Sequence, residues 1–187
     1  ARPSDVIDPA MGRIALRGHP DYAHLARTKT QGYLAAGERF MKEGQYYRAA
    51  DAFELASVWD RNNALTVLAR CHALFAAGEY MSSAYFLGEA LTMEPRLAEP
   101  GVDWETLLKT RDDYEDRLVE LSTWQQRSNS AELAFLMGYV LFQDGKLTRG
   151  RISAEYALDM MPDHKGAELL QQAIERALDS ESPGGNP

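Results

Sequence analysis

Apolar residues recur along most of this chain at intervals of three and four, the period of helices that bury one face. Three stretches repeat one layout. The first runs Gly32-Tyr33-Leu34-Ala35-Ala36-Gly37-Glu38-Arg39-Phe40, then Gly44-Gln45-Tyr46-Tyr47-Arg48-Ala49-Ala50, then Phe53 and Ala56. The second runs from Val67 to Leu74, through Gly78-Glu79-Tyr80, to Ser83, Leu87, Ala90-Leu91 and Glu94-Pro95. The third runs from Ala134 to Leu141, through Gly145-Lys146-Leu147, to Gly150, Ala154, Ala157-Leu158 and Met161-Pro162. Each predicts two helices joined by a tight turn. The turn falls at Gly44, Gly78 or Gly145, where a left-handed residue ends the first helix and glycine takes that conformation without steric cost. Pro95 and Pro162 end second helices, since the residue before proline is pushed out of the α region. Asn62-Asn63 serve in the first stretch.

The repeat distance decides what kind of stack these pairs form. Gly44 to Gly78 and Ala56 to Ala90 are both 34 residues apart. Gly78 to Gly145, Ala90 to Ala157 and Pro95 to Pro162 are each 67 apart, room for one further unit between the second and third. Small residues share register positions: Gly37, Cys71 and Gly138; Ala49, Ser83 and Gly150; Ala56, Ala90 and Ala157. This set resembles the tetratricopeptide repeat family over about residues 30–164. The resemblance implies an all-α, helix-turn-helix solenoid. Repeats are expected at about 30–63, 64–97 and 131–164, with a degenerate unit at 98–130. The family's aromatic near the start of the first helix is Tyr33 here, then Val67 and Ala134, which are volume trades within a core.

The degenerate unit carries Pro100-Gly101 and room for a short helix at about 103–108, with Asp103 as its N-cap. A longer amphipathic helix follows at about 112–126, with Tyr114, Leu118, Leu121 and Trp124 on one face and Asp112, Glu115, Asp116 and Glu120 opposite. A C-terminal capping helix is expected at 165–178, its inner side Leu170, Ala173, Ile174 and Ala177. Residues 1–29 read as an irregular segment leading into a helix from about Asp21, and 179–187 as a flexible tail. The start Ala1-Arg2-Pro3-Ser4 reads as that of a processed or cut chain. One irregular unit among regular ones is similar to envelope tetratricopeptide proteins of some bacteria. That narrower resemblance implies a bacterial periplasm or cell envelope location rather than the cytoplasm.

Composition narrows the function classes. Of 187 residues, 20 are Lys or Arg and 28 are Asp or Glu, a net charge of −8. That argues against nucleic acid and against an anionic membrane surface, both of which reward Lys and Arg. The longest apolar run, Leu133 to Gln143, is far short of a bilayer span and reads as a buried core helix. A lone cysteine, Cys71, excludes an internal disulfide and a cysteine-cluster metal site. No pair among His19, His24, His72 and His164 has ligand spacing on one helix face. Neighbours Cys71 and His72 point about 100° apart on a helix, which is no catalytic dyad. No phosphate loop or nucleophile elbow is present. The reading is a non-enzymatic chain with no cofactor and no metal.

Family ligands usually lie in the concave groove lined by first helices. Carried over, the groove positions are Gln31, Leu34, Glu38, Met41 and Lys42; Leu65, Leu68, His72, Phe75 and Ala76; and Glu132, Phe135, Tyr139, Phe142 and Gln143. The last two sets predict a partner-binding strip of Leu68, His72, Phe75, Phe135, Tyr139 and Phe142. If exposed, it docks a protein or peptide more apolar or aromatic than acidic, since Lys42 is the whole groove's one fixed cation and Glu38 sits one turn away. Two alternatives stay open. The strip is covered by the chain's own N-terminal segment or irregular unit, or it is the face of a homodimer or self-assembly.

Overall fold

A computed structural model describes residues 22–181, and these contain nine α-helices, one 3-10 turn and no strand. The helices are α1 (Tyr22–Glu43), α2 (Tyr46–Trp59), α3 (Ala64–Ala77), α4 (Tyr80–Met93), α5 (Trp104–Leu108), α6 (Arg111–Ser128), α7 (Ala131–Gln143), α8 (Leu147–Met160) and α9 (Lys165–Glu181). The 3-10 turn is Pro95–Ala98. The expected irregular segment before Tyr22 lies outside the described residues; of the expected tail at 179–187, residues 179–181 continue α9 and the rest lies outside them. The fold is an all-α helix-turn-helix solenoid of the tetratricopeptide type, with one irregular unit and a C-terminal helix.

Local chemistry sets the helix ends. Gly44, Gly78 and Gly145 have φ of 73°, 84° and 72°. Around each, two backbone bonds close the preceding helix: Gly78 N–H to Phe75 O at 3.0 Å and Glu79 N–H to Leu74 O at 2.9 Å in the second pair. This is the Schellman arrangement, which a side chain at the glycine would strain. Helix starts are capped by side chains. Asn63, Asp103, Thr110 and Ser130 accept from the backbone amides of Thr66, Thr106, Asp113 and Leu133 respectively. Each such cap is worth about 1 kcal/mol.

Within a pair, helices touch where the shared small residues fall. A methyl group on Gly138 would sit 3.0 Å from the backbone N of Ala154, and one on Gly150 would sit 3.1 Å from Gly138 O. A methyl on Gly37 would collide with the Phe53 ring. In the second pair Cys71 and Ser83 take these places, Sγ to Oγ 3.4 Å, and Ser83 donates to Cys71 O at 2.9 Å.

The stacking departs from a simple series at one point. α2 packs on α3, as successive pairs should, but α4 packs directly on α7. The irregular unit takes no place between them. Instead α5 lies on α1, and α6 lies against α3 and α7, so the unit crosses the side of the first helices. The 67-residue interval therefore measures an excursion that leaves the stack and returns. α9 packs on α8 and also reaches back to α4, where Gly166 and Gly88 meet backbone to backbone. α7 is central: all its residues but one are buried, the exception being Glu132.

Candidate functional site

The predicted strip is brought together, and it is interior. Phe75, Phe135, Tyr139 and Phe142 are at most 1% exposed, and Leu68 and His72 are 8% exposed. A partner cannot rest on the four aromatics in this arrangement, so their expected role as docking anchors is replaced by a core role. Phe135 packs on His164, ring centroids 5.0 Å apart, and Phe75, His72 and Tyr139 are covered by Trp104, the first residue of α5. Its ring centroid lies 5.2 Å from Phe75, 5.3 Å from His72, 5.8 Å from Tyr114 and 6.4 Å from Tyr139. A five-residue helix has no stability of its own. Here it is held by this aromatic cage and by its Asp103 cap.

Further contacts fasten the unit at every first helix. Gln143, at the end of α7, grips the strand of chain before α5. Its Nε2 donates to Ala98 O at 3.1 Å and Glu99 O at 3.0 Å, and its Oε1 accepts from Gly101 N–H at 2.9 Å and Val102 N–H at 3.1 Å. Arg111 makes a two-pronged pair with Asp144 at 2.6 and 2.9 Å, and Lys146 adds a third contact at 2.9 Å. Burial works to raise the Asp144 pKa, but the Arg111 and Lys146 bonds outweigh it and hold the carboxyl below its ordinary value. Tyr80 donates to Glu120 at 2.6 Å, and Arg117 pairs with the same carboxylate at 2.8 Å. Lys109 lies over Gly44, Arg117 over Gly78 and Arg111 on Asp144. Three cations thus sit at the carbonyl ends of the three first helices, the end the helix dipole makes negative.

Coverage is partial. Between α1, α3 and α5 a cavity of about 320 Å³ stays open. Its mouth carries Glu38, Lys42, Asp103 and Thr106, and its floor Met41, Phe53, Ala69, Leu107 and His72. The His72 ring is held by Nε2, 3.1 Å from Tyr139 Oη. Burial lowers the His72 pKa to about 4 and pushes the Tyr139 phenol well above its usual value, so both are neutral at pH 7. Glu38, Met41 and Lys42 were among the carried-over groove positions, and of the predicted strip only His72 reaches this cavity.

A second groove, of about 630 Å³, runs between α4, the start of α7 and the α8–α9 turn. Met81, Tyr85, Met93 and Met161 line it over the Phe135 ring, with Glu89, Glu132, His164 and Lys165 at its edges. Met81 is 52% and Tyr85 60% exposed. Sequence reasoning missed this groove, because it lies between helices that the 34-residue period places two units apart. It also missed Trp104, whose signal was a large aromatic in a helix too short to stand alone.

Among the described residues no group of three or more His, Cys, Asp or Glu is placed to hold a metal ion, and no helix is long and apolar enough to cross a membrane. No protein-family model matches the chain, and no curated protein does. Among solved structures it is similar to a chain described as MamA RS-1 ArsTM double mutant, at 20% identity and TM-score 0.32, covering 88% of this chain and 98% of that one. It is also similar to MamA 41-end from Desulfovibrio magneticus RS-1, at 19% identity and TM-score 0.32, covering 87% and 98%. At that distance the likeness assigns neither a family nor a function.

Proposed function

We propose that this chain is a non-enzymatic protein-interaction module of the tetratricopeptide kind, which docks a segment of a partner protein in the part of the first-helix groove that its own irregular unit leaves open. The observation that carries the reading is the cavity between α1, α3 and α5. It sits where the family resemblance puts ligands, and it offers polar groups at the mouth and an apolar floor. Nothing in its lining forms a nucleophile–base pair, which supports binding over chemistry. The partner segment enters as an extended strand or helix along α1 and α3 and places one side chain in the cavity. The resemblance to envelope repeat proteins supports a periplasmic or envelope setting, which fractionation of the source cells tests.

The test is a cavity-filling substitution, Ala69→Phe, combined with a photo-crosslinking residue introduced at Lys42. Partners crosslinked in the native cell by the parent should be lost from the filled variant. Retention of the same partners by a folded Ala69→Phe chain overturns the reading. A second reading, self-assembly, is favoured by the methionine-lined groove, since flexible thioethers over an aromatic floor suit apolar contacts. Sedimentation separates the two: self-association that Tyr85→Glu abolishes and Ala69→Phe leaves intact supports assembly.

A further inference from the structure

The floor of the cavity holds a polar group that is only half engaged. His72 is nine-tenths buried, and what remains exposed opens into the cavity. Its Nε2 is taken by Tyr139. The Tyr139 hydroxyl has no other hydrogen-bond partner among the described residues, so a buried phenol must give its proton to Nε2 or leave it unpaired. With Nε2 accepting, the neutral ring carries its own hydrogen on Nδ1. Nδ1 has no hydrogen-bond partner among the described residues and is not one of the fully buried orphan atoms, which leaves it to donate into the cavity that His72 lines. At the mouth, Glu38 has no hydrogen bond or ion pair among the described residues, and it offers acceptors to the same cavity. The cavity therefore presents one donor at its floor and, at its rim, the unpaired Glu38 carboxylate beside Lys42, Asp103 and Thr106, above Met41, Ala69 and Leu107.

We infer that the cavity takes a primary carboxamide, the side chain of an Asn or Gln in the docked segment, its carbonyl accepting from His72 Nδ1–H and its amino group donating to Glu38. This rests on the docking reading above and specifies its chemistry. Other side chains satisfy less. A lysine or arginine has no acceptor for Nδ1–H, and a leucine strands both groups. A carboxylate accepts from His72 and is drawn by Lys42, but it meets two carboxylates there, Glu38 and Asp103, in a chain of net charge −8. A buried donor left unpaired is costly, which is how such sites reject near-isosteres.

The test uses the full chain labelled with ¹⁵N and four acetylated, amidated seven-residue peptides that differ only in a central Gln, Glu, Lys or Leu. Before any peptide is added, the His72 imidazole spectrum at pH 7 should show the Nδ1–H tautomer; an Nε2–H tautomer overturns the inference. On titration the Gln peptide should shift the His72 Nδ1 signal and bind about tenfold more tightly than the other three, the worth of one or two added hydrogen bonds. That preference should vanish in His72→Phe, with folding checked by the amide spectrum. Equal binding of all four peptides at the cavity overturns the amide preference and leaves docking standing. If no peptide moves the signals of Glu38, Ala69 or His72, both readings fall.

Discussion

Replacing Trp104 by Ala tests whether the irregular unit is fastened by its aromatic cage. Trp104 is 3% exposed and has four ring neighbours within 6.4 Å. Truncating a buried aromatic of this kind costs about 3–5 kcal/mol, the transfer loss plus the cavity left behind. One term works the other way. The indole Nε1 is buried without a hydrogen-bond partner among the described residues, and removing it relieves about 1 kcal/mol or more. The net expectation is about 3 kcal/mol. For a chain of this size each kcal/mol moves Tm by about 2–4 °C, so the variant should melt about 6–12 °C lower. Urea unfolding followed at 222 nm gives the free energy, and Trp124→Ala provides the control. Trp124 is 54% exposed, and its loss should change stability by about 0.5 kcal/mol or less. A Trp104→Ala loss below about 1 kcal/mol, or a Trp124→Ala loss as large as that of Trp104, would refute the cage.

Other expectations follow from the same contacts. Gln143→Leu strands two carbonyls and two amides of the 98–102 segment, some of which water can reach, so it should cost about 2 kcal/mol and speed proteolysis there. His72, at about 4 in the folded chain against 6.5 ordinarily, binds its proton only in the unfolded chain between those values. Its share of stability is therefore complete above pH 6.5 and falls as pH drops toward 4, by about 2–3 kcal/mol. Urea midpoints at pH 7.5 and 4.5 should show His72→Gln losing less on acidification than the parent, and equal losses would contradict this. Cys71 is 1% exposed with its thiol pushed up to about 12 by burial, so a disulfide reagent should modify it only as fast as the chain opens. Ala90→Leu and Ala157→Leu should each cost about 1–3 kcal/mol by overpacking fully buried crossings, read as a fall in Tm.

Much of the helix layout was legible in the residues, because its signals are local. Positive-φ turns need glycine, and Gly44, Gly78 and Gly145 stand there. The Asp103 cap was readable from one side chain at one boundary. Direction was not readable. A 67-residue spacing records how much chain intervenes and says nothing of whether that chain stacks or turns aside. The apolar character of Phe75, Phe135, Tyr139 and Phe142 required a cover, but composition alone does not say whether the cover is a partner or the chain itself. Trp124 shows the limit of periodicity. It shares a helical face with Tyr114, Leu118 and Leu121, yet those three are buried and its ring is left half exposed.

The irregular unit also changes how the molecule should come apart. In an ordinary solenoid each repeat touches only its neighbours, so the ends fray and the array behaves as a chain of weakly linked springs. Here a single run of chain is tied to the turns of all three first helices through Lys109, Arg117 and Arg111. Opening any one pair loosens the tie on the other two. The stepwise extension typical of repeat arrays should thereby give way to opening in fewer, larger steps. The groove of such a braced array should then vary less in width than that of an unbraced superhelix.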